Sequence, residues 1–241
     1  MTSNSIPNLR TLSMYGWTLP WSIVGIIAMF IEPTGRLYSF LTNIWARQIL
    51  WLGGVTFTVK GGEHIDWKKP YVICSNHQSQ IDIPLLVAAL PTGIRFLAKR
   101  VLFYIPIFGW MLAIARFIPV DRGNIVKARR SIIKGAKRIK KGPSLLVFPE
   151  GTRTCDGEVH PFKSGAFIMG IQASVPVMPV AIRGTYNIIS KHHMKVRPGA
   201  VEIIIGKPIS TEGLTIKQRN TIKIQTETAV VEMHRTGEPT T

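Results

Sequence analysis

The chain has 241 residues, 46% of them hydrophobic, and its 30 Lys and Arg against 13 Asp and Glu give a formal net charge of +17. That length suits one well-packed domain with a short appendage, and the charge points to a polyanionic partner: nucleic acid, an acidic membrane surface or phosphorylated substrates. The positive mean hydropathy favours lipid over nucleic acid, and the two cysteines, Cys74 and Cys155, form no C-x-x-C pair, which argues against a disulfide framework and for a reducing compartment.

In chain order, the first apolar run is Leu19 to Ile31, thirteen uncharged residues stopped by Glu32-Pro33. At about 1.5 Å per residue this run covers roughly 20 Å, too little to cross a hydrocarbon core of about 30 Å. A second run, Leu37 to Val55, carries Arg47 and Gln48 in its middle and Trp45 and Trp51 at interfacial spacings. Residues 1–54 are therefore expected to form an N-terminal membrane-embedded two-helix hairpin in one leaflet, the alternative being that both helices cover the core. Only Arg10 precedes the first run and no small-x-small site follows it, so a cleavable leader is not expected.

From residue 55 to 241 short β-branched runs alternate with helical periodicity, the pattern of an α/β domain with a mixed sheet of about seven strands flanked by helices. Strands are expected at 55–60, 71–75, 94–98, 117–120, 144–148, 177–182 and 201–205, and helices at 82–89, 105–115, 124–141, 165–173 and 216–233. The Gly-Pro-Thr-rich tail from Thr236 is expected to fray. Residues 95–142 hold thirteen Lys and Arg against one acid, Asp121. Within them Ile125, Ala128, Ile132, Ala136 and Ile139 form one apolar stripe opposite a basic face. Any single lysine there reads as a solvated side chain; the cluster as a whole is expected to face anionic phospholipid.

Chemistry concentrates at Cys74-Ser-Asn-His77-Gln-Ser-Gln-Ile-Asp82-Ile-Pro84, where a strand gives way to a polar turn and Asp82 opens a helix as its N-cap. On one continuous helix His77 and Asp82 would point about 140° apart, so they can meet only across the turn. Together they would supply an imidazole that accepts a hydroxyl proton and a carboxylate that orients it; the plain alternatives are a solvated histidine and a capping aspartate. A second turn, Phe148-Pro-Glu150-Gly151-Thr152-Arg153, follows a strand directly, where α/β sheets bind ligands. Gly151 permits close backbone approach to an anion, Arg153 offers a forked guanidinium for a phosphate, and Lys163 precedes a helix start at Gly165. Taken alone, this segment reads better as an ordinary turn with an exposed arginine, because Glu-Gly-Thr is common turn chemistry.

Asn76-His77-x-x-x-x-Asp82 and Phe148-Pro-Glu150-Gly151-Thr152-Arg153, with Phe117-Ile-Pro-Val-Asp121-Arg122 between them and Val175-Pro-Val-Met-Pro179 after them, resemble in order the four blocks of the glycerolipid acyltransferase superfamily. Within it the pattern is most similar to the 1-acylglycerol-3-phosphate acyltransferase family; Pro119 departs from the usual aromatic or aliphatic residue of the second block. The resemblance spans residues 76–180. It implies that His77 is the general base and Asp82 its orienting partner, and that Glu150, Gly151, Thr152 and Arg153 belong to the acceptor-binding block, with Lys99, Arg122 and Lys163 as helpers. It further implies an acyl-CoA or acyl-acyl carrier protein donor, a lysophosphatidic acid acceptor, an anionic phospholipid membrane at the cytoplasmic face of the cell inner membrane, and no nucleic acid, metal or cofactor. Three rival readings stand beside it: another lysolipid or glycerol-3-phosphate as acceptor, a non-catalytic basic membrane module, and acyl transfer through the Cys74 thiol. The last is disfavoured because an apolar strand makes a thiol inert packing. His192-His193 lacks neighbouring ligands and reads as a solvated loop.

Overall fold

A computed structural model describes residues 7–121, 125–140, 142–191 and 193–240, with side chains at 125–129 excluded. Helix α1 (Leu9–Ile31) and helix α2 (Arg36–Gly53) precede a seven-stranded sheet built from β1 (Val55–Lys60), β2 (Val72–Ser75), β3 (Ile94–Lys99), β4 (Ile118–Val120), β5 (Ser144–Val147), β6 (Val177–Arg183) and β7 (Gly199–Ile205). Between the strands run α3 (Asp82–Ala89), α4 (Phe108–Ile114), α5 (Ile125–Ile139), α6 (Gly165–Ala173) and α7 (Thr185–Ile188), and α8 (Arg219–Thr236) closes the chain. The strand order is β1-β7-β6-β2-β5-β3-β4. Neighbours are parallel except β6 and β7, which makes the sheet mixed.

The two-residue period of each strand sorts its side chains between two cores. Ile73, Leu146, Met178, Val180, Ile182 and Ile203 point to one face, covered by Ala46, Ile49 and Leu50 of α2 and by Leu85 and Leu86 of α3. Val72, Cys74, Leu145, Val147, Val177 and Ile204 point to the other, covered by Ala136 and Ile139 of α5, Phe167 of α6 and Val230 and Met233 of α8. A third cluster, with Ala28, Tyr38, Met111, Leu112 and Phe117, joins α1, α2 and α4. Residues on both faces explain why the central strands read as continuous apolar runs rather than alternating ones.

Three expectations need correction. The first apolar helix has 23 residues, beginning at Leu9, because Asn8 caps it by accepting from the Thr11 N–H at 3.1 Å and is itself held by the Val196 carbonyl at 2.8 Å. At about 1.5 Å per residue it is long enough, and apolar enough, to cross a membrane. The tail beyond Thr236 is fastened rather than frayed, since Lys60 Nζ donates to the Gly237 carbonyl and to Glu238 at 2.9 Å each. Finally, Asp82 is not the N-cap of α3, a position held by Ile81; its carboxylate turns backwards instead.

The surface of α1 is inverted relative to an ordinary helix of a globular domain. Thr11, Ser22, Gly25, Ala28 and Met29 face inward, while Leu12, Trp17, Leu19, Ile23, Ile27, Phe30 and Ile31 are exposed. Phe40 and Trp51 on α2, and Val101, Tyr104, Ile105 and Trp110 at the start of the α4 region, are exposed as well. Arg130, Lys134 and Lys137 are exposed on α5, which packs on the sheet face opposite α2 and α3.

Candidate active site

β2 lies at the centre of the sheet between β5 and β6, all three parallel, so their carboxyl ends open on one edge. Past Ser75 the ladder is continued by a side chain: Asn76 Nδ2 donates to the Ile182 carbonyl and Asn76 Oδ1 accepts from the Ile182 N–H, both at 2.8 Å. The next residue is His77. Its Nδ1 lies 2.8 Å from Asp82 Oδ2, and the same oxygen accepts the backbone N–H groups of Gln78 and Ser79 at 2.8 Å each. Asp82 is fully buried, and these three contacts hold its carboxyl group in place. With Nδ1 donating to a carboxylate, the imidazole keeps its lone pair on Nε2, the atom that would take a hydroxyl proton. The ring stacks on Phe148, centroids 3.9 Å apart and planes 13° from parallel, which fixes its remaining rotation.

The turn after β5 closes the other side. Glu150 is only 5% exposed and its Oε1 accepts the His77 backbone N–H at 2.9 Å, while the His77 carbonyl accepts from the Thr154 N–H at 2.8 Å. Burial pushes the Glu150 carboxyl up to about 7, opposed by that backbone hydrogen bond. Glu150 thus straps the His77 turn through Oε1. Gly151 has φ of 80°, and a Cβ there would sit 2.8 Å from Lys163 Nζ, so the glycine admits this ammonium beside the turn. Arg153 is half-buried, and burial lowers its pKa against the fields of Tyr15 and Asp82. Tyr15, which donates to Gln80, belongs to α1; the first helix therefore reaches the site.

Of the residues singled out by sequence, His77, Asp82, Glu150, Gly151, Arg153 and Lys163 are brought together, and Thr152 is exposed on the same turn. Lys99 is exposed at the end of β3, separated from β2 by β5. Arg122 lies outside the described residues, as does His192. Among the described residues no group of three or more His, Cys, Asp or Glu could hold a metal ion. Cys74 is buried in the core opposite α3, and burial pushes its thiol pKa up, which leaves it unreactive. Sequence reasoning missed Phe148 as the ring support, and Gln78, whose backbone holds Asp82. It also missed Tyr15, for which nothing local in the sequence is a signal. A cleft of about 730 Å³ beside the turn is lined by Gln78, Arg183, Tyr186, Glu202 and His234, among others.

Comparisons with known proteins give the family of the chain. The acyltransferase family model matches residues 56–183, and the chain belongs to the acyltransferase family. A 1-acyl-sn-glycerol-3-phosphate acyltransferase of Pseudomonas aeruginosa is 33% identical over 219 residues, covering 87% of this chain and 84% of the relative. Proteins of the same name from Cocos nucifera and Saccharomyces cerevisiae are 32% and 38% identical, covering 83% and 67% of this chain. The chain spans 65% and 54% of the lengths of those two relatives. The crystal structure of the 1-acyl-sn-glycerophosphate (LPA) acyltransferase PlsC from Thermotoga maritima superposes with a TM-score of 0.77 at 27% identity, covering 93% of this chain and 95% of that one.

Proposed function

We propose that this protein transfers a fatty acyl group from the thioester of acyl-CoA or acyl-acyl carrier protein to the sn-2 hydroxyl of 1-acylglycerol-3-phosphate, giving phosphatidic acid. The observation that carries the reading is the 2.8 Å pairing of His77 Nδ1 with the buried Asp82 carboxylate at the carboxyl edge of the sheet; the names of the relatives supply the substrate class. His77 Nε2 takes the hydroxyl proton as the oxygen attacks the thioester carbonyl. The tetrahedral oxyanion then collapses, the carbon–sulfur bond breaks, and the imidazolium returns its proton to the leaving thiolate. Asp82 holds the tautomer and stabilises the transient imidazolium. No acyl-enzyme is required.

Arg153 and Lys163 belong to or adjoin the turn that packs on His77 and suit the acceptor phosphate, with Lys99 and Arg122 contributing from neighbouring loops. The exposed apolar face of α1, with Trp51 and Trp110, is the surface by which the protein would enter an anionic phospholipid membrane, on the cytoplasmic face of the inner membrane. Residues 1–54 would form the membrane motif and 55–241 the catalytic domain. The test is a panel of acceptors (lysophosphatidic acid, lysophosphatidylcholine, glycerol-3-phosphate) with one labelled acyl-CoA. Acylation of lysophosphatidic acid above the others, lost by at least about 10³-fold in His77→Ala, is the expected result. Undiminished transfer by His77→Ala would refute the mechanism, and preference for another acceptor would refute the substrate.

A further inference from the structure

The Gln78 side chain has a set of partners that determines its orientation. Gln78 Nε2 lies 2.6 Å from the Gly157 carbonyl, which can only accept, so the amide NH₂ must point that way. Gln78 Oε1 on the other side accepts from Thr185 Oγ1 at 3.3 Å. The second amide hydrogen is then directed at His234 Nε2, 2.9 Å away. That nitrogen must carry a lone pair, so His234 is a neutral imidazole with its proton on Nδ1. His234 sits in the last turn of α8, 156 residues from Gln78 in sequence. The backbone N–H of Gln78 in turn donates to Asp82 Oδ2, the oxygen that holds His77.

We propose that neutral His234 is a positioning residue for the His77 turn: by accepting from the Gln78 amide it ties the C-terminal helix to the peptide that orients Asp82. This rests on the reading of His77 as the base. Protonating His234 would set two N–H groups face to face, and the amide could escape only by surrendering Gly157 or Thr185. The charged groups around the ring are Arg183 of β6, Glu202 of β7, which pairs with Arg183 at 2.6 Å, and Asp156 and Glu158 of the segment after β5; Arg235 on α8 itself is tied to Glu232. Burial, the leading influence, holds His234 below its ordinary 6.5; Glu158 works against this and Arg183 with it. Because the folded-state value is depressed, the contribution of the link is fully present above 6.5 and is lost as pH falls through the lower folded-state value.

The experiment is a pH profile of kcat/KM for the whole protein in lipid vesicles, with His234→Gln, which keeps an acceptor but cannot titrate, and His234→Leu, which removes it. The wild type should fall on the acid side more steeply than one proton allows. His234→Gln should keep the neutral-pH rate and fall with a slope of one. His234→Leu should lose about tenfold in kcat at neutral pH with KM little changed, the effect of one lost hydrogen bond, and this deficit should close on the acid side, where the wild type loses the same link. An acid limb in His234→Gln identical to that of the wild type overturns the proposal, as does full activity in His234→Leu. Imidazole ¹⁵N spectra of the same samples read His234 without turnover: the Nδ1–H tautomer at pH 7 supports the link, and the Nε2–H tautomer or an imidazolium overturns it. If neither wild type nor variants transfer acyl groups, the base assignment fails and the tautomer still decides the link.

Discussion

The turn at residues 76–82 and the outer face of α1 invert one another. In the turn, Asn76, Gln78, Ser79 and Asp82 are buried polar residues, each hydrogen-bonded, with three donors converging on one Asp82 oxygen. On α1, Leu9 is 82% exposed and Phe30 74%, and Leu12, Leu19, Ile23, Ile27 and Ile31 are exposed with them. Burying polar groups costs several kcal/mol unless each finds a partner, so the turn tolerates one arrangement only. Exposing a continuous apolar strip is costly in water and favourable against hydrocarbon, so α1 makes sense beside a second phase. One region is specified by pairing, the other by its surroundings.

The largest expected effect breaks the pairing. Asp82→Asn keeps the shape but replaces the carboxylate that selects the Nδ1–H tautomer and stabilises the imidazolium; kcat should fall about 10³-fold while circular dichroism and vesicle binding are unchanged. Wild-type turnover in this variant would show that the pair is structural. Breaking the other side of the comparison, Ile23→Glu with Ile27→Glu on the outer face of α1 should weaken sedimentation with anionic vesicles by at least about 100-fold, given roughly 1.5–3 kcal/mol per buried isoleucine. Equal binding by that variant would place the membrane contact elsewhere.

Smaller effects sharpen the picture. The Glu150 carboxyl is raised to about 7 by burial, so the folded protein holds this proton more tightly than the unfolded chain does. Its contribution is present below the ordinary carboxylate value and lost as pH rises through about 7. Glu150→Gln mimics the protonated form and still accepts the His77 N–H; its melting temperature should exceed that of the wild type at pH 8 and match it at pH 5. Coincident melting at pH 8 would show that the carboxylate is already well solvated. The smallest effect concerns Cys74: alanine there should cost about 1 kcal/mol of stability for the vacated volume and leave activity within about twofold, whereas loss of activity would revive a thiol mechanism.

Most of the sheet was legible because buried strands announce themselves as short β-branched runs. β1 at 55–60 and helices α3 and α6 appear with the boundaries the pattern predicts. Errors cluster where the deciding partner is remote. The start of α1 depends on Asn8 meeting Val196, and the tail depends on Lys60 reaching Glu238. The four-residue α7 at 185–188 is too short to show a period. For the site, the five-residue spacing of His77 and Asp82 already required a turn that lets them meet, as they do; what fails is the N-cap reading of Asp82, since Ile81 holds that position. Beside His77, the partners of Asp82 are the backbone N–H groups of Gln78 and Ser79, which every residue carries and no sequence distinguishes.

What the sequence by itself determined is therefore the chemistry on offer: a histidine and an aspartate at a strand-to-helix turn, a Glu-Gly-Thr-Arg turn after a second strand, and an apolar N-terminus in a strongly basic chain. These are matters of residue type and short-range spacing, set by local backbone preference and burial period. Only the tertiary structure decided that Phe148 braces the imidazole, that Glu150 faces the His77 backbone instead of solvent, and that Tyr15 and His234, from opposite ends of the chain, arrive at the same turn. Those contacts depend on strand order and helix packing, which bring residues up to 156 positions apart within hydrogen-bond reach. Such partners leave no trace in either segment read alone.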